Sequence, residues 1–137
     1  MNQTDEMDEI VKEIEKYKLN DSSKIKEIKN NILTKLLFDT EELKIYNTLL
    51  THYRFIDEID ELRYGSYIRW FNISKNITLE LLRGGFVVDI KHVKDDIQIL
   101  CKNGIKTFFT LKMSQCIIFQ KNTKQEELLI QILDHVK

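Results

Sequence analysis

Residues 84–104 read GGFVVDIKHVKDDIQILCKNG. Apolar and polar side chains alternate through most of this stretch, the period-two signature of half-buried strands. Phe86, Val88 and Ile90 are expected on one face of the first strand, with Val87, Asp89, Lys91 and Val93 on the other. Asp95-Asp96 is a turn, and Ile97, Ile99 and Cys101 line the inner face of the second strand. Asn103-Gly104 is a strong hairpin signal, since both residues tolerate positive φ. Thr107–Met113 then pairs back, with Phe109 and Leu111 inward and Phe108 and Lys112 outward. A common core of Val88, Ile90, Ile97, Ile99, Phe109, Leu111 and Ile118 is expected.

Upstream, the period changes to two at Gly65. Tyr67–Ile73 places Ile68 and Trp70 on one face and Tyr67, Arg69 and Phe71 on the other, and Thr78–Leu82 is a weaker strand candidate. Downstream, a kink at Ser114-Gln115 leads to a last strand, Cys116–Gln120. Five short strands joined by tight turns predict a small closed or nearly closed barrel. An open five-stranded sheet covered by helices is the competing arrangement, and the barrel is preferred.

The first 62 residues carry helical spacing instead. Met7, Ile10, Val11, Ile14 and Tyr17 form one stripe, and Ile25, Ile28, Ile32, Leu33, Leu36 and Leu37 form a second, capped by Ser22 or Ser23. A third helix starts at a capping box made by Asp39 and Glu42 and runs through Leu43, Tyr46, Leu49, Leu50, Tyr53, Ile56, Ile59 and Leu62. Its end, Asp57-Glu58-Ile59-Asp60-Glu61, opposes the helix dipole, so either the helix stops near Phe55 or the acidic run meets a basic surface. Thr123 and Glu126 form a second capping box, before a stripe of Leu128, Leu129, Ile132, Leu133 and Val136.

The strand order resembles SH3-like barrels of the Tudor and KOW type: a strand after a glycine, a long connection, a glycine-led bent strand, two hairpin strands, a one-turn kink and a short closing strand. The resemblance covers residues 63–121 and carries no diagnostic motif. More loosely, Gly65–Ile73, Gly84–Ile90 and Ile117–Lys121 look like segments of short uncharacterised proteins of giant DNA viruses. That likeness implies a virion or viral-factory setting and supplies no activity.

Charge divides the chain. Residues 1–62 hold 9 Lys/Arg against 15 Asp/Glu, and residues 63–121 hold 10 against 4. The basic segment is suited either to phosphates or to an acidic helical segment of its own or a neighbouring subunit. The longest apolar run, Cys116–Phe119, is far short of the roughly 20 residues that span a bilayer, and the acidic N-terminus does not read as a signal peptide. The expectation is a non-secreted protein of host cytoplasm, nucleus or virion, with Cys101 and Cys116 as free thiols and no membrane partner.

His52, His92, His135 and the two cysteines show no metal-ligand spacing, so neither a metal nor another cofactor is expected. No Ser or Cys sits in a glycine-rich elbow, and Gly84-Gly85 precedes a strand where a phosphate loop would precede a helix. Outward aromatics interleaved with cations are the one functional signal, since bases stack on rings while cations meet phosphates. The candidate nucleic-acid residues are Arg63, Tyr64, Tyr67, Arg69, Phe71, Phe108 and Lys112. The competing use of those aromatics is as a second core beneath the third and C-terminal helices.

The sequence therefore predicts an α+β protein: an acidic helical segment over 1–62, a basic five-stranded SH3-like barrel over 63–121, and a C-terminal helix over 122–137 packed on the barrel. Its expected role is a non-catalytic binding or assembly module, associated with nucleic acid through the barrel. The alternative is a structural or adaptor protein, such as a minor virion component, that binds protein partners or itself through a seam of Met7, Ile10, Ile14 and Tyr17.

Overall fold

The computed structural model describes residues 3–36, 38–74 and 79–136. The chain forms two compact units, residues 1–43 with 122–137, and residues 44–121. The boundary expected after residue 62 falls inside the second unit.

The first unit contains helices α1 (Gln3–Tyr17), α2 (Ser22–Lys35) and α4 (Lys124–His135), with the start of α3 (Thr40–Leu49). The starts of α2, α3 and α4 are set by side-chain caps, which satisfy N–H groups that the first turn leaves unpaired. Asp21 caps α2 by accepting from the Lys24 N–H at 2.9 Å, in place of the expected serines. Asp39 and Glu42 bond each other's backbone N–H at 2.8 and 3.2 Å, and Thr123 and Glu126 do so at 3.1 and 2.9 Å, both as the sequence predicts.

The C-terminal helix corrects one expectation. Leu129 and Ile130 are buried with Leu19 and Ile25, and Ile10, Ile14, Tyr17, Ile132 and Leu133 pack around them. Leu129, Ile132 and Leu133 of the α4 stripe are thus covered by the stripe of α1 and the first turn of α2, where a barrel was expected, while Leu128 and Val136 stay exposed. Ser22 N–H to Asp134 (2.9 Å) and Gln125 to Glu13 (3.1 Å) tie the same helices. Three members of the predicted self-association seam therefore have an internal partner, while Met7 stays half exposed.

The second unit is an antiparallel sheet of six strands among the described residues, in the order β1-β6-β2-β3-β4-β5. They are β1 (Tyr53–Ile56), β2 (Tyr67–Asn72), β3 (Gly85–Val93), β4 (Asp96–Asn103), β5 (Thr107–Lys112) and β6 (Cys116–Lys121). Five lie where the alternation placed them. The sixth, β1, corrects the long third helix: α3 stops at Leu49, and Tyr53–Ile56 pairs with β6 from Tyr53↔Lys121 to Ile56↔Ile118. Leu79–Leu82 form no strand, and Thr78 lies outside the described residues. Among the described residues no pairing joins β1 to β5, so the sheet is open and not a five-stranded closed barrel.

The sheet is strongly curled. Trp70 on β2 and Phe109 on β5 have ring centroids 5.2 Å apart, although two strands lie between them and flat spacing would separate them by about 14 Å. The hollow is filled by Ile56, Leu62, Ile68, Trp70, Val87, Ile99, Cys101, Leu111, Cys116 and Ile118. Ile90, Ile97 and Phe109 are partly buried against them. Val88 corrects the expected core, being 43% exposed, while Val87 is 2% exposed. The cause is a β-bulge: Val87 pairs with Cys101 and Asp89 with Leu100, so one extra residue is inserted and the facing reverses. Ahead of the bulge Gly85 and Val87 point inward, and Phe86 and Val88 point out.

On the opposite face, Phe55, Phe119 and Phe71 form a chain with centroids 6.0 and 6.1 Å apart. Tyr46 of α3 closes it by standing edge-on to Phe71 at 5.1 Å. Gln120, fully buried on β6, accepts from the Arg63 N–H (2.9 Å) and donates to the Glu61 carbonyl (3.0 Å), fixing the turn before β2. No described helix is long and apolar enough to cross a membrane.

Candidate functional site

Side chains that are neighbours across adjacent strands share a face of the sheet. Tyr67 pairs with Phe86, Phe86 with Lys102, and Lys102 with Phe108. These four residues make one row across β2, β3, β4 and β5, on the face away from the hollow. Tyr67 meets Phe86 edge-on at 5.0 Å, and the Lys102 ammonium lies 5.8 Å from the centre of the Phe108 ring. The two phenylalanines remain 51% and 54% exposed, which leaves ring surface for a ligand. Four strands span about 14 Å, a length comparable to platforms on which two or three bases stack.

Beside this row is a recess of about 290 Å³ lined by Tyr53, Tyr67, Arg69, Arg83, Gly84 and Asn103. Arg69 follows Tyr67 by two positions on β2 and so shares its face. Its Nε donates to the Leu82 carbonyl at 3.1 Å, which holds the guanidinium in place. Tyr53 is largely buried, and burial, aided by the neighbouring Tyr67 phenol and opposed by Arg69, raises its pKa, so the hydroxyl stays a donor at neutral pH. Gly84 makes the close approach possible: a Cβ there would overlap the Tyr67 ring and stand 2.5 Å from the Ile68 carbonyl oxygen.

The sequence-predicted residues divide. Tyr67, Arg69 and Phe108 lie on the row or recess. Phe71 is fully buried beneath Tyr46 and is part of the second core, so it has no ring face to offer. Arg63 is half-buried, with its guanidinium donating to the Lys121 carbonyl at 3.4 Å, a role in holding the turn. Tyr64 is exposed in the turn before β2, off the row. Lys112 is exposed but four residues along β5 from Phe108, about 13 Å away, in a shallow depression with Asp95 and Asp96. There Asp96 has a lowered pKa, first through its bond from the Ser114 hydroxyl (2.6 Å) and least through Lys112.

Phe86, Lys102, Arg83, Tyr53 and Asn103 were not legible. Strict alternation through Val88 places Phe86 inward, and the bulge after Val87 reverses that facing. The cysteines are buried, and burial pushes Cys101 up to about 12 and Cys116 up to about 11, values at which neither thiol is a nucleophile at neutral pH. No family model matches this chain, no curated protein matches it, and no solved structure matches it.

Proposed function

We propose that the outer face of β2–β5 binds single-stranded nucleic acid with little sequence preference, and that the chain is a non-catalytic binding or assembly module. The observation that carries this reading is the row Tyr67–Phe86–Lys102–Phe108, where the exposed Phe86 and Phe108 rings flank a cation. Rings accept any base by stacking, and cations replace the counterions of the phosphates. The second unit adds a favourable background, with 12 Lys/Arg against 8 Asp/Glu over residues 44–121.

The SH3-like reading of β2–β6 belongs to the same proposal. It is supported by β6 returning beside β2 and by a one-turn 3-10 segment, Met113–Gln115, just ahead of β6. The setting implied by the resemblance, a virion, viral factory or host cytoplasm or nucleus, is part of this proposal too. A protein-binding adaptor role is the second reading. It is supported by Met7 and Val11, one turn apart on α1 and both about half exposed.

Fluorescence anisotropy of labelled single- and double-stranded oligonucleotides across a salt series tests the proposal on the full chain. Affinity for single strands should fall steeply with salt, and Lys102→Ala should lower the slope by about one. Phe108→Ala should weaken binding at an unchanged slope, because stacking releases no counterion. Absence of binding at low salt would leave the adaptor reading.

A further inference from the structure

The recess beside the row has a composition that stacking does not explain. Among the described residues its lining contains two arginines, two tyrosines and an asparagine, and no Asp or Glu. Among the described residues, Arg69 and Arg83 have no acidic partner, and Arg83 makes no hydrogen bond. Two unneutralised guanidiniums in one recess repel each other, and an anion relieves that repulsion. Arg69, with Nε engaged by Leu82, still offers its two terminal amino groups, while Arg83 offers its whole fork. The Tyr53 and Tyr67 hydroxyls and the Asn103 amide add further donors. The hydroxyls and the amide also accept, but the two guanidiniums only donate, which fits a group that only accepts.

We infer that this recess binds a phosphate monoester, the terminal phosphate of a strand whose bases lie on the adjoining row. The inference rests on the nucleic-acid reading of that face. A terminal phosphate carries about 1.5 to 2 negative charges and three accepting oxygens, whereas an internal diester carries one charge and two free oxygens. The forked guanidinium matches phosphate oxygens in pairs. Tyr67 joins the two sites: its ring meets Phe86 on the row, and it also lines the recess. Gly84 keeps the wall behind Tyr67 free of a side chain, so the ring can lie against backbone and leave the recess open.

The test uses the full chain and internally labelled oligothymidylates of equal length with a 5′-phosphate, a 3′-phosphate or neither. One phosphorylated strand should bind about tenfold more tightly than the unphosphorylated one, the size expected of one or two charge-assisted bonds. Arg83→Gln should bring that ratio to within about twofold. Lys94→Gln, which removes the same charge far along the sheet, should preserve it. Equal affinity for all three strands would overturn the recess inference and leave the row intact. If no strand binds, the row reading falls, and thymidine monophosphate against thymidine decides the recess alone by calorimetry. Binding of the monophosphate that is lost in Arg83→Gln would uphold the recess, and no binding would overturn it.

Discussion

Replacing Gly84 with alanine adds one methyl group at the most crowded point of the site. The new Cβ would overlap the Tyr67 ring and approach the Ile68 carbonyl oxygen to 2.5 Å. The ring could rotate away, but the carbonyl cannot, because Ile68 is fully buried and its strand is paired on both sides, with Gly85 and with Gln120. Overpacking of this kind costs roughly 1–3 kcal/mol, and a backbone obstacle puts Gly84→Ala in the upper part of that range. With a urea slope of about 2 kcal/mol per molar, the midpoint should fall by about 1 M. Trp70, the single tryptophan, is buried two residues along the same strand, so its fluorescence reports this unit directly. Gly104→Ala is the comparison: nothing crowds its Cβ, but its φ of +80° would cost about 1–2 kcal/mol, less than Gly84→Ala. A midpoint for Gly84→Ala within about 0.25 M of wild type would refute the reasoning, since the close approach would then not exist.

The bulge predicts that Ile99→Ala costs about 2–5 kcal/mol, while Val88→Ala costs under about 1 kcal/mol; comparable losses in urea denaturation would mean the strand register is wrong. Phe71→Ala should destabilise by about 3–5 kcal/mol, whereas Phe108→Ala should leave the urea midpoint close to wild type and weaken oligonucleotide binding. Lys29 is 3% exposed, and burial, with Lys26 adding and Glu127 opposing, lowers its pKa to about 8. Between about pH 8 and 10.5 the unfolded chain holds a proton that the folded chain has released, so stability rises with pH through that window. Wild type should therefore gain on the order of 3 kcal/mol relative to Lys29→Met on passing from pH 7 to pH 10, and a constant difference in denaturation midpoints would contradict it.

Much of the fold was legible because strands and helices announce themselves by period. The two capping boxes and the five later strands were read from local pattern alone. The misreadings arise where tertiary contacts or an inserted residue decide what period alone leaves open. Tyr53, Leu49 and Ile56 fit a helical stripe as well as Tyr53, Arg54 and Ile56 fit a short strand buried on both faces, and pairing with β6 decides between them. Val87 and Val88 are the same residue type, so nothing in the pair reveals which one faces the hollow. Phe71 follows Tyr67 and Arg69 on one face, and the approach of Tyr46 from a distant helix makes it core. The candidate face was half legible for similar reasons: Tyr67, Arg69 and Phe108 were placed outward from alternation, while the outward facing of Phe86 and the approach of Arg83 depend on the bulge and the turn.

Photochemical cross-linking tests the central claim most directly. A single-stranded oligonucleotide bearing 5-iodouracil, irradiated with the full chain and mapped by mass spectrometry, joins bases to the aromatic rings that they stack on. Adducts are expected at Phe86, Phe108 and Tyr67, lost with salt and reduced by Lys102→Ala. Adducts confined to Tyr64, Tyr17 or other rings away from the row, or none with binding intact, would contradict it.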